Sequence, residues 1–116
     1  MQIIIKTIPH RKQRYHDVGD WWFDISGDLY IRVSESGNWK YEALIALHET
    51  IEAILCKDRG IKEPVIGKFM VEDENNKSTS REAPNYKEHR FAIKIEKQIA
   101  KELKVDWDKY EKELEL

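Results

Sequence analysis

Apolar positions recur along this chain in two rhythms, and the change between them divides it. Up to Ser34 the rhythm is that of strands. Gln2 to Ile8 is rich in isoleucine and β-branched residues and is closed by Pro9, which predicts a first strand. Trp21 to Ile25 and Leu29 to Ser34 flank the short turn Ser26-Gly27-Asp28 and predict an antiparallel hairpin. One of its faces carries Trp21, Phe23, Ile25, Leu29, Ile31 and Val33. The other carries Trp22, Asp24, Tyr30 and Arg32, as expected of a half-exposed sheet.

From Asn38 the spacing becomes helical. Asn38 is a good N-cap, and Gly60 suits a left-handed stop. Between them Tyr41, Leu44, Ile45, Leu47, Ile51, Ile54 and Leu55 recur with helical period. Pro64, Gly67 and the polar run from Glu72 to Arg81 mark a long loop, 61–85, of the kind that can close over a site. Pro84 and Asn85 lead into a second helix, about Tyr86 to Lys104. Asp106 then caps a short terminal helix carrying Trp107, Tyr110 and Leu114. The expected fold class is α+β: a small three-stranded antiparallel sheet, two long helices and a short C-terminal helix, in a single domain over 1–116.

Both long helices break their own apolar pattern. With His48 at zero on a helical wheel, Tyr41, Leu44, Ile45, Ile51 and Leu55 fall within about 60°, and Glu52 at about +40°. Glu49 lies near +100°, where the apolar arc gives way to Glu42, Thr50 and Lys57. On the second helix His89 shares its face with Tyr86, Ala92, Ile93, Ala100 and Leu103, and Glu96 also points inward.

An imidazole and a carboxylate at the centre of an apolar face are costly unless both are satisfied. A hydrogen-bonded His48–Glu52 pair, or an arginine on Glu52, would do so. A divalent metal would do so too, because positions i and i+4 of a helix face one ion. With His89 the set becomes two histidines and one carboxylate, the ligand count of catalytic zinc sites with an open fourth position. Glu49 then stands where a general base acts on a metal-bound water. Tyr86, one turn before His89, is the candidate oxyanion donor. Cys56, about 12 Å along the helix from His48, and Glu96, about 10.5 Å from His89, are too far to share the ion. Cys56 reads as a small buried hydrophobe. Glu96 falls opposite Tyr41 if the helices pack antiparallel and could accept its hydroxyl proton; in a parallel pair it falls opposite Leu55, without a partner.

Composition narrows the setting. The chain has 116 residues, a net charge of -2 and 36% charged residues, so no global field draws it to nucleic acid or a membrane. The Arg11, Lys12, Arg14 cluster reads as a solvated loop, with nucleic-acid contact a distant second, and His16 as a surface histidine. A single cysteine fits a reducing compartment, and no segment reaches transmembrane length, so a cytoplasmic location is expected.

A resemblance emerges from these residues. Strands followed by a helix bearing His48-Glu49-x-x-Glu52, then a second helix bearing His89, resemble a minimal zincin metallopeptidase core. That likeness implies a zincin-like fold, zinc, and a peptide or protein substrate laid along an exposed strand edge, for which Leu29 to Ser34 is the candidate. Common zincins carry a second histidine where this chain has Glu52; the carboxylate also suits iron or manganese. Asn38-Trp39-Lys40-Tyr41, the stretch from His48 to Cys56, Ala83-Pro84-Asn85-Tyr86, Glu88 to Ala92, and Leu103 to Trp107 are similar to a family of small phage and prophage proteins. This similarity, from about Ile31 onward, implies an origin rather than a reaction. Two functions follow as expectations: a zinc metallohydrolase working through Glu49, or an inactive zincin-like module that binds a regulatory protein partner.

Overall fold

In the computed structural model the described residues are 1–63 and 83–114. Most of the expected 61–85 loop, and with it the lid role, lies outside them. Three strands come first: β1 (Ile3–Ile8), β2 (Gly19–Phe23) and β3 (Leu29–Ser34), with a single 3-10 turn at His10–Lys12. Helices α1 (Trp39–Asp58), α2 (Tyr86–Glu102) and α3 (Trp107–Glu113) follow. The α+β layout expected from the sequence is present.

The sheet, however, is mixed and not antiparallel. Its order is β1-β3-β2, with β1 parallel and β2 antiparallel to β3. Apolar alternation marks a strand but not its direction. The connection from Pro9 to Val18 carries the chain past one strand position, and the hairpin then folds β3 back into the gap. The hairpin turn also begins earlier than the apolar pattern implied. Asp24 Oδ1 accepts from the backbone of Ser26 and Asp28, so the strand stops at Phe23. Ile25 consequently projects from the turn fully exposed instead of joining the inner face.

Central position explains the burial of β3, whose Leu29, Ile31 and Val33 are all 0% exposed. It also removes β3 as the exposed edge suggested for substrate: it pairs on both sides, and β1 and β2 form the edges. Helix α1 lies across β2 and β3. On β1, Ile3 and Ile5 share the inner side with Leu29 and Ile31 through the register, yet both stay about half exposed. The outer side is covered by stacking: Trp22 and Tyr30 lie 5.5 Å apart, with the Arg14 guanidinium 4.4 Å over Trp22.

The helix ends follow their capping residues. Asn38 Oδ1 accepts from the backbone N–H of Lys40 and Tyr41, and Gly60 takes a φ of 71° just beyond α1. Asp106 accepts from Lys109 to start α3. Helices α1 and α2 run antiparallel, tied by Lys40 to the Leu103 carbonyl at one end and Arg59 to Glu88 at the other. Ala92 and Ala100, both essentially unexposed, give α2 a small-residue surface where it packs. That close approach brings the His48 and His89 rings to 4.7 Å between centroids.

Candidate metal centre

Helical spacing turns His48 and Glu52 of α1 toward α2, and the antiparallel packing sets His89 opposite them. His48, Glu52 and His89 are 7%, 5% and 7% exposed. His48 Nε2 lies 3.1 Å from Glu52 Oε2 and 3.0 Å from His89 Nδ1; His89 Nδ1 lies 2.9 Å from Glu52 Oε2. The three sequence-predicted ligands thus converge, each offering one atom, into a group that could hold a metal ion. A tetrahedral site with bonds of about 2.0–2.1 Å has donor atoms about 3.3 Å apart, so the triangle needs only a few tenths of an ångström of opening.

On His48 and Glu52 the atoms facing away from the triangle are held. His48 Nδ1 meets Glu96 Oε1 at 2.7 Å, and Tyr110 donates to Glu96 Oε2 at 2.5 Å. With one oxygen taken by the tyrosine, Glu96 accepts the Nδ1 proton of His48 through the other, so Nε2 is the nitrogen turned toward the centre, able to bind an ion once it gives up its proton. Glu52 is treated alike: Asn85 Nδ2 donates to its Oε1 at 2.6 Å and Trp21 Nε1 at 3.3 Å, so Oε2 is the oxygen left to bind. A plain hydrogen-bonded triangle fits less well. Each ring N–H points along one direction, whereas three acceptor-bearing atoms share one centre. The donor set fits a divalent metal.

Electrostatics in the metal-free protein follow from this geometry. Burial alone would push the His48 imidazolium down, but Glu52 and Glu96 on its two nitrogens, with Glu49 nearby, hold it well above the ordinary histidine range. Burial opposes charge on Glu52 as well, yet hydrogen bonds from His48 and His89 lower it to about 2. Among the described residues Glu49 has no such partner. Burial, then the charges of Glu52, Asp17 and Asp20, push its carboxyl well above the usual range despite the pull of His48. A desolvated carboxyl of this kind is suited to moving a proton.

Glu49 is more buried than its place on the wheel suggested, at 8% exposure. Gly19 of β2 makes the room: a Cβ there would come within 2.4 Å of Glu49 Oε1. Tyr86 occupies the first turn of α2, half buried, and makes no hydrogen bond to the three ligands among the described residues. The helices pack antiparallel, the arrangement in which Glu96 could accept from Tyr41; it serves His48 and Tyr110 instead, while Tyr41 packs its ring on Tyr110 at 4.9 Å and its hydroxyl on Glu113. Cys56 is a buried hydrophobe as expected, 0% exposed, its thiol pushed up to about 12 by burial.

Several contributors went unread in the sequence. Asn85 reads as a helix cap, yet its side chain caps nothing and serves Glu52. Trp21 reads as core. Asp17 reads as loop, but its half-buried carboxyl lies near enough to feel Glu52, His89 and His48, and desolvation raises its pKa. None carries a signal in a single sequence, because each reaches the site through tertiary packing. The basic loop is partly spent: Arg14 pairs with Asp20 at 2.6 Å and Glu63 at 2.9 Å. The ring of His16 packs edge-on against His10 at 5.9 Å.

Compared with protein-family models, curated proteins and solved structures, the chain matches none. No described helix is long and apolar enough to cross a membrane.

Proposed function

We propose that this chain is a zinc-dependent metallohydrolase, peptidase-like in its chemistry, with His48, Glu52 and His89 as ligands and Glu49 as general base. The observation that carries the reading is the triangle of His48 Nε2, His89 Nδ1 and Glu52 Oε2, 2.9–3.1 Å on a side, beside a desolvated carboxyl with no ion-pair partner among the described residues. Three protein ligands leave a coordination position open, as catalytic zinc sites do. The metal supplies Lewis acidity, polarising a carbonyl and acidifying water. Iron or manganese would fit a two-histidine, one-carboxylate set as well, and metal analysis separates them.

The residues then have distinct tasks in amide hydrolysis. Glu49 takes a proton from the attacking water as the new C–O bond forms, and returns it to the amine nitrogen as the C–N bond breaks. Glu96 and Tyr110 keep His48 in one tautomer and orientation; Asn85 and Trp21 do the same for Glu52. Tyr86 is the candidate to stabilise the developing oxyanion. A peptide would lie along β2, whose Gly19 and Trp21 adjoin Glu49 and Glu52 and whose outer edge no described strand pairs. A phage or prophage origin, and action in the host cytoplasm, rest on the sequence resemblance alone.

The test is a zinc-loaded preparation assayed on a mixture of internally quenched peptides, with Glu49→Gln alongside. Cleavage by the wild type, reduced by about 100-fold or more in a variant that keeps its zinc and fold, supports the assignment. Equal cleavage by both proteins, or none by the zinc-loaded wild type, contradicts it and turns attention to a protein-binding role.

A further inference from the structure

The outward face of α2 is as specialised as its inward face. Lys87, Arg90, Lys94, Lys97 and Lys101 are spaced three or four residues apart, and all five are exposed. On a helical wheel they occupy an arc of about 80°. They form a nearly straight row about 21 Å long. No acidic side chain interrupts that arc. Glu88 and Glu96 are turned inward, to Arg59 and His48, and Glu102 lies about 60° beyond the Lys87 edge of the arc. Among the described residues none of the five forms an ion pair; Lys97 alone has a partner, the Trp107 ring at 5.5 Å.

A chain with 22 acidic residues and a net charge of -2 has carboxylates to spare for pairing, as the Arg14 loop does with Asp20 and Glu63. A row of five cations without one among the described residues is a local departure from that balance. Apolar groups flank it. Phe91 is 46% exposed, and a shallow depression of about 460 Å³ is lined by Arg90, Phe91, Ile93, Lys94 and Lys97. Regularly spaced cations beside an exposed aromatic ring match a single nucleic-acid strand, whose phosphates repeat along the backbone and whose bases offer a stacking face. An acidic protein surface would satisfy the cations but gives Phe91 no task.

We infer that the exposed face of α2 is a docking surface for a single-stranded nucleic acid, with Lys87, Arg90, Lys94, Lys97 and Lys101 along the phosphates and Phe91 stacking a base. The centre of the row lies about 120° round the helix from His89, so occupancy of this face does not require the metal centre to be engaged.

The experiment is fluorescence anisotropy of the full chain with a labelled oligothymidylate of about 20 nucleotides, over a salt series. Five phosphate contacts give a slope of log affinity against log salt of about -3.5, a loss of about 100-fold between about 50 and about 200 mM salt. Arg90→Gln/Lys94→Gln/Lys97→Gln leaves two contacts and reduces the slope to about -1.4. Phe91→Ala keeps the slope and weakens binding about 5-fold or more. All four positions are exposed, so an unchanged melting curve accompanies these effects. Absence of binding at the lowest salt overturns the inference. So does equal affinity for polyglutamate, which would mark an acidic protein partner, or equal affinity for a duplex together with a silent Phe91→Ala.

Discussion

Replacing Gly19 by alanine tests the packing that buries the proposed base. The added Cβ would lie 2.4 Å from Glu49 Oε1, 2.7 Å from its Cγ and 2.8 Å from its Cδ, where ordinary contact begins at 3.4 Å. The carboxyl end of Glu49 must therefore retreat by about 1 Å, into a space shared with the charges of Glu52, Asp17 and Asp20. Overpacking on this scale costs about 1–3 kcal/mol. Against it stands the backbone gain of alanine over glycine at an ordinary φ, about 0.4–1 kcal/mol. The net expectation for Gly19→Ala is a destabilisation of about 1–2 kcal/mol. In a Glu49→Ala background the clash is gone and only the gain remains, so the same substitution should stabilise by about 0.5 kcal/mol. Urea unfolding of the four metal-free proteins measures both values. Equal destabilisation in both backgrounds would refute the reasoning, because the cost would then not pass through Glu49. In the zinc-loaded protein a base displaced by about 1 Å should lose about 100-fold in hydrolysis while the metal stays bound.

Other consequences concern the support of the ligands. Glu96→Ala should weaken zinc binding by about 10–100-fold, and Tyr110→Phe should weaken it less, since Glu96 stays in place and loses one donor. Competition with a chromophoric chelator reads this directly, and unchanged affinity in Glu96→Ala would contradict the orientation of His48 through Nδ1. Zinc must also displace the proton that Glu52 and Glu96 hold on His48 well above the ordinary histidine range. Zinc affinity should therefore climb with pH through neutrality, with about one proton released per ion there. Calorimetry in buffers of different ionisation enthalpy counts that proton; no release at neutral pH would refute the raised value.

The parts of this molecule governed by local rules were legible in its sequence. Asn38, Gly60 and Asp106 set helix ends through their own backbone chemistry, and the wheel placed His48, Glu52 and His89 inward because helical spacing alone decides it. What depends on which elements meet was not legible. The direction of β1 follows from the path of the Pro9 to Val18 connection, which no periodicity encodes. The burial of Glu49 depends on a glycine thirty positions earlier. Glu96 illustrates the limit best. Arithmetic along α2 set it too far from His89 to share an ion, but could not say that an antiparallel α1 would bring His48 beside it.

The central claim is that His48, Glu52 and His89 bind one ion, and elemental analysis tests it most directly. The protein should be purified without chelator or affinity metal and measured with His48→Ala and His89→Ala, each checked for retained helical signal. Near-stoichiometric zinc in the wild type, lost from both folded variants, is the predicted result. A folded wild type that takes up no divalent metal, even after zinc is supplied, would contradict the account and leave the triangle a buried polar network.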